Sequence, residues 1–187
     1  MYNLSMFPAI FLDRDGVIIE NRSKYVRSWD DVAIFGQALT ALARIKSSPY
    51  KIIMVTNQSA IGRGIISLET ALEINNRLLK VIKQIGGRID GIFMCPHAPQ
   101  DHCDCRKPKP GLILQAAGSH NLDLSRSILI GDALSDIVAA QASGVNQTAL
   151  VRTGLGVDQT KPAQSASLKQ FLIYDTLERA LTELVDL

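Results

Sequence analysis

The sequence predicts an α/β fold: a doubly wound, mainly parallel, Rossmann-like sheet with helices on both faces. Three observations lead there. Short apolar runs, often β-branched, recur along the 187 residues. Stretches with helical spacing of apolar residues separate them. The polar residues able to do chemistry gather where the apolar runs end.

Residues 9–12, AIFL, are brief and wholly apolar, as a strand covered on both faces is. Residues 37–46 follow as a helix, with Leu39, Leu42, Ala43 and Ile45 on one face. A second strand falls at 52–55. A long helix at 67–84 has Ser67 as its cap, Glu69 in its first turn, and Leu68, Leu72, Leu79 and Ile82 at helical spacing. Gly86-Gly87 closes it. The third strand is 91–94, followed by a helix at 111–119. The fourth is 128–130, followed by a helix at 135–142 that ends near Gly144. Residues 148–151 form a fifth strand, and 171–174 with 177–185 a last strand–helix pair. The stretch 154–167, rich in Gly, Gln and Ser, is expected to be a surface loop.

A single domain, 1–187, is the expected organisation; a chain of this length buries ~70% of its unfolded surface. A net charge of +2 offers no electrostatic case for nucleic acid or a membrane surface as partner. No apolar run approaches the ~18 residues that span a bilayer, and the N-terminus lacks the basic region of a secretory signal. All three cysteines fall within CPHAPQDHCDC, residues 95–105. Their odd number, and the closeness of Cys103 to Cys105, argue for reduced thiols used as ligands and for a cytoplasmic location.

In doubly wound sheets, ligands bind beyond the carboxyl ends of the strands. The first strand runs into Asp13-Arg14-Asp15-Gly16, the second into Thr56-Asn57-Gln58-Ser59, the third into Cys95 and the cysteine loop. The fourth runs into Gly131-Asp132, with Asp136 one helical turn on. Crowded carboxylates repel, and a cation is their natural neutraliser. Hard oxygen ligands suit Mg²⁺. Mg²⁺ beside a carboxylate nucleophile suits phosphoryl transfer through an aspartyl-phosphate. Each piece alone has a plainer reading: a turn with an Asx cap at Asp13, a strand-end hydroxyl at Thr56, a solvated charge at Lys107, a helix-start acid at Asp136. Four such pieces, in order, at the ends of four successive strands, favour chemistry.

These segments resemble the motifs of the haloacid dehalogenase superfamily of phosphatases over nearly the whole chain: FLDRDGV the first, VTNQS the second, the lysine of CRKPKPG the third, IGDALSD the fourth. LDRDG, TNQSAIGRG and CPH…CDCRKPKPG together resemble two groups within it, the D-glycero-D-manno-heptose 1,7-bisphosphate 7-phosphatases and the histidinol-phosphate phosphatases. The resemblance implies a haloacid dehalogenase fold, uncapped, with a zinc loop. It implies Asp13 as nucleophile and Asp15 as acid and then base. It implies Mg²⁺ on Asp13, the Asp15 backbone carbonyl and Asp132, with Asp136 in support. Thr56 and Asn57 would contact the phosphoryl group, Lys107 offset its charge and Arg106 help recognise the substrate. It also implies Zn²⁺ on Cys95, His97, Cys103 and Cys105, a common closed structural set; His102 competes with His97, and the family pattern favours His97. Ala133 departs from the Lys that heptose relatives often carry.

The expected substrate is a phosphorylated sugar, with the 7-phosphate of heptose 1,7-bisphosphate removed in service of lipopolysaccharide synthesis. Asn21, Tyr25 and Arg63 are further candidates to meet it. A histidinol-phosphate phosphatase, a generalist sugar-phosphate phosphatase and a zinc-stabilised interaction module are the alternatives. A monomer is expected, since an uncapped site needs no partner to close it.

Overall fold

The computed structural model describes residues 6–159 and 168–185. Among them, β1 (Ala9–Leu12), β2 (Lys51–Asn57), β3 (Gly91–Cys95), β4 (Ile128–Gly131), β5 (Gln147–Val151) and β6 (Leu172–Tyr174) form one sheet. Its order is β3-β2-β1-β4-β5-β6, and every pairing is parallel. The helices are α1 (Gly36–Arg44), α2 (Ser59–Gly62), α3 (Leu68–Gln84), α4 (Gly111–His120), α5 (Leu134–Ser143), α6 (Gly156–Gln159) and α7 (Leu177–Leu184). The winding reverses between β1 and β4, and that reversal opens a crevice at their carboxyl ends.

The strands read as unbroken apolar runs because both faces of the sheet are covered. In β1, Ile10 and Leu12 pack on one side with Met54, Ile130, Leu42 of α1, Leu78 of α3 and Leu181 of α7. Ala9 and Phe11 pack on the other with Ile53, Leu129, Ile113 of α4 and Ala140 of α5. The two layers hold the strand ends rigidly, so that the groups projecting from them keep fixed spacings.

Expected and observed elements differ in places that matter. The buried stripe of α3 is Ala71, Ile74, Asn75, Leu78 and Ile82, whereas Leu68 and Leu72 face solvent. The apolar face is therefore turned from the one the leucines suggest, and an asparagine lies within it. The Ser67 cap holds, its Oγ accepting from Thr70 N at 3.1 Å. α1 ends at Arg44 and tightens into a 3₁₀ turn at Ile45–Ser47. Within the expected loop 154–167, Gly156–Gln159 is a short helix, and 160–167 lie outside the described residues. No helix among the described residues is long and apolar enough to cross a membrane.

Candidate active site

Leu12 pairs with Met54 on one side and Ile130 on the other, so the chain leaves β1 beside the ends of β2 and β4. Asp13 N donates to Ile130 O at 3.1 Å. There Asp13 meets Asp132, at the end of β4, and Asp136, in the first turn of α5; one carboxylate oxygen from each lies within 4.8 Å of the others. Asp132 and Asp136 are buried, and the Asp13 side chain keeps 13% exposure. Ala133 caps α5, and its N–H donates to Asp136 Oδ2 at 3.1 Å.

One lysine serves these acids. Lys107 Nζ lies 2.8 Å from Asp13 Oδ1 and 2.6 Å from Asp136 Oδ1, and donates to Val55 O at 2.8 Å. Two of these contacts, to Asp13 Oδ1 and Val55 O, are hydrogen bonds, and the one to Asp136 is an ion pair. Burial alone would favour the neutral amine, yet Asp13 and Asp136 together hold it well above the usual lysine range. Burial pushes Asp13 up to about 8; Lys107 opposes this, and the neighbouring acids add to it. Burial, then Asp136, pushes Asp132 up to about 6. Three acids with one lysine leave negative charge uncompensated, and a hard divalent cation fits that donor set.

Asp132 is aimed by two donors: Asn21 Nδ2 at 2.7 Å and Leu155 N at 2.8 Å. The backbone crowds it from two sides. A Cβ on Gly16 would stand 2.0 Å from Asp132 Oδ2 and one on Gly154 2.2 Å from it, and both glycines have positive φ, +83° and +62°. Asn21, a candidate to meet substrate, also directs one amide N–H at this buried carboxylate.

Asp15 stands outside the trio of acids. Its Oδ2 accepts from Arg14 Nε at 3.1 Å and from Gln58 Nε2 at 2.8 Å, and Arg14 Nη2 reaches Oδ1 at 3.1 Å. Gln58 Nε2 also donates to Thr56 Oγ1 at 2.9 Å, which leaves the buried Thr56 hydroxyl its own hydrogen to give. Asn57, expected on the phosphoryl group, clasps the lysine loop: Nδ2 donates to Lys107 O at 3.0 Å and Oδ1 accepts from Lys107 N at 3.1 Å. A side-chain amide matches a backbone peptide in both donor and acceptor, and this pairing fixes where Lys107 starts.

The cysteine loop closes on itself. Cys95, Cys103, Cys105 and His97 Nδ1 approach one another at 3.2 to 3.7 Å. Zinc–sulfur bonds of ~2.3 Å imply tetrahedral sulfur–sulfur edges of about 3.7 Å, so the spacing suits such an ion. His102 is exposed, in a left-handed turn, and lies outside the cluster. Burial pushes the Cys95 thiol up to about 12, so a cation that took the thiolate would have to displace its proton. Arg106, next in the chain, donates to His97 O at 3.4 Å.

Beside Asp15 a basin of about 200 Å³ is lined by Asn21, Arg22, Tyr25, Val26, Asn57, Gln58 and Ser59. Tyr25, on its wall, has φ of 66°, an unusual backbone for a bulky residue. Arg63 is exposed at the end of α2 and does not line the basin. A larger cavity, about 310 Å³, opens between the end of α3 and Gly87-Arg88, but brings none of these groups. Sequence reasoning missed Arg14, Gln58 and Asn75. The first two sit inside motifs already noted, and a buried mid-helix asparagine carries no signal in periodicity.

The HAD-hydrolase-like family profile matches residues 104–180. Over 168 residues, covering 90% of this chain and 89% of the relative, the sequence is 37% identical to the D-glycero-beta-D-manno-heptose-1,7-bisphosphate 7-phosphatase of Neisseria meningitidis. It is 36% identical to the protein of the same name from Pseudomonas aeruginosa, over 94% of this chain and 97% of that one. The crystal structure of D,D-heptose 1,7-bisphosphate phosphatase from B. bronchiseptica, complexed with magnesium and phosphate, superposes with a TM-score of 0.88. It is 33% identical and covers 95% of this chain and 97% of its own. With this fold and this extent of identity, the chain belongs to the D-glycero-beta-D-manno-heptose-1,7-bisphosphate 7-phosphatase family of HAD-like hydrolases, and it is a phosphatase.

Proposed function

We propose that this phosphatase removes the 7-phosphate of D-glycero-D-manno-heptose 1,7-bisphosphate, in the cytoplasm and as a monomer of one domain. The observation that carries the reading is Asp13 itself, a partly accessible carboxylate set among Asp132, Asp136 and Lys107 at the switch point of the sheet. The relatives' names supply the substrate class.

Asp13 Oδ would attack phosphorus, and the bond from phosphorus to the sugar oxygen breaks as Asp15 hands that oxygen a proton. Asp15, now a carboxylate, then takes a proton from water; the water oxygen attacks phosphorus, the bond to Asp13 breaks and inorganic phosphate leaves. Lys107 and the Thr56 hydroxyl hold charge that develops on the phosphoryl oxygens. Asp13, Asp132 and the Asp15 backbone carbonyl would hold Mg²⁺, with Asp136 in support. Bound there, Mg²⁺ supplies charge neutralisation and in-line orientation. Cys95, His97, Cys103 and Cys105 would hold Zn²⁺ as a closed structural site that steadies Arg106 and Lys107. Asn21, Tyr25 and Arg106 would meet the sugar and Asn57 the phosphoryl group, with Arg63 further out.

The test is phosphate release, with Mg²⁺ present, from both anomers of heptose 1,7-bisphosphate, from histidinol phosphate and from an aryl phosphate. The reading expects the heptose ester to lead. Preference for histidinol phosphate would reassign the substrate, equal slow rates would make the enzyme a generalist, and release from none would leave a zinc-stabilised scaffold.

A further inference from the structure

Arg14 lies between two acids in the chain, yet its side chain is 1% exposed. Its fork grips both oxygens of Asp15, with Nη2 also 2.9 Å from Oδ2. The remaining end, Nη1, donates to Asn75 Oδ1 at 2.9 Å. Asn75 is 3% exposed, midway along α3, in a stripe otherwise made of Ala71, Ile74, Leu78 and Ile82. Asparagine is a poor mid-helix residue, and a buried amide is costly unless bonded. Its Nδ2 finds Met94 Sδ at 3.7 Å, a weak acceptor. The strong bond it makes is the one to Arg14. An apolar residue would suit that stripe better, so the local cost marks a task for the amide.

The task is orientation. A guanidinium held only by its carboxylate can swing with it. One end tied to a seventeen-residue helix gives the fork a fixed origin, and the carboxylate takes its direction from the fork. We propose that Asn75 is a positioning residue for the reaction: through the buried Arg14 fork it sets the direction of the Asp15 carboxyl, and so its alignment with the departing sugar oxygen. This rests on the reading of Asp15 as the acid of the first step.

Leaving-group dependence tests it. kcat/KM reports events up to the first irreversible step, in which the phosphorus–oxygen bond breaks. A sugar alkoxide needs the proton from Asp15 in that step, and p-nitrophenolate does not. Asn75→Leu is expected to lower kcat/KM about tenfold or more on heptose 1,7-bisphosphate and less than about threefold on p-nitrophenyl phosphate, a fraction of what a full general acid contributes. Asn75→Ser, too short to reach Arg14, should discriminate likewise, and Asn75→Asp, which keeps an acceptor for Nη1, should restore the heptose rate. Equal losses on both substrates, or no loss in either the Leu or the Ser variant, would overturn the inference. Asp15→Asn separates the two claims. If it discriminates between the substrates while the Asn75 variants do not, positioning by Asn75 is wrong and the acid stands. If it does not discriminate, the acid reading falls, and this inference with it.

Discussion

Lys107→Met would test how the site holds its charge. The ammonium contacts Asp13 at 2.8 Å, Asp136 at 2.6 Å and Val55 O at 2.8 Å, all in a buried setting. Methionine keeps most of the stem's packing and removes the charge. Two carboxylates lose their counter-charge, and a carbonyl loses its donor. Removing one partner of a buried pair costs about 3–5 kcal/mol. At about 2–4 °C per kcal/mol for a chain of this size, the metal-free variant should melt roughly 6–20 °C below wild type near pH ~8. Near pH ~5 the deficit should shrink, because Asp13, raised to about 8, is then protonated and needs no lysine. Turnover should fall about 10²-fold or more, as when one donor to a developing oxyanion is lost. Thermal melts with chelator at both pH values, and kcat/KM with Mg²⁺, supply the readings. A variant melting within about 2 °C of wild type near pH ~8 would refute the charge argument, and one turning over within roughly threefold would refute the catalytic one.

Other expectations follow from the same geometry. Asp13 and Asp132 bind protons more tightly folded, at about 8 and about 6, than at the ordinary carboxylate value of 3.8. The ion-free protein therefore loses stability as pH rises through that window, and Mg²⁺ should raise the melting point more near pH ~8 than near pH ~5; the reverse order would contradict it. Gly154→Ala drives a Cβ toward Asp132 Oδ2, 2.2 Å away, and should raise the Mg²⁺ concentration for half-maximal activity about tenfold. An unchanged metal requirement would show that Asp132 adjusts freely. A zinc-selective chelator, with Mg²⁺ kept in excess, should expose three reactive thiols and lower kcat/KM about tenfold by loosening the lysine loop. Thiols that react fully before chelation, with no zinc released, would remove the metal from that loop.

The parallel strands and the four strand-end motifs were legible because buried parallel strands are apolar on both faces and chemistry begins where they stop. Asp13, Asp132, Asp136 and Lys107 come together as those ends imply. Roles fixed by distant partners were not legible. Asn21 and Asn57 have the composition of ligand contacts, and their bonds to Asp132 and Lys107, 111 and 50 residues away in sequence, could not be read from the motifs. Of the apolar residues expected to line α3, Ile82 is buried and Leu79 half-buried, but Leu68 and Leu72 face solvent while Ala71 and Asn75 turn inward, Asn75 to meet Arg14, 61 residues away. Four residues of α2 are too few to show a period at all.

The cysteine loop is anchored at both ends. Gly62 packs where a Cβ would come within 2.5 Å of Ala98 N, and Asn57 grips Lys107 on the far side. Between those moorings, Asp101, His102 and Asp104 stand in solvent, the Asp104 side chain 97% exposed. A spectroscopic label at the exposed His102 position would leave the four sulfur and nitrogen donors in place, which gives a natural place to mount a reporter of substrate arrival.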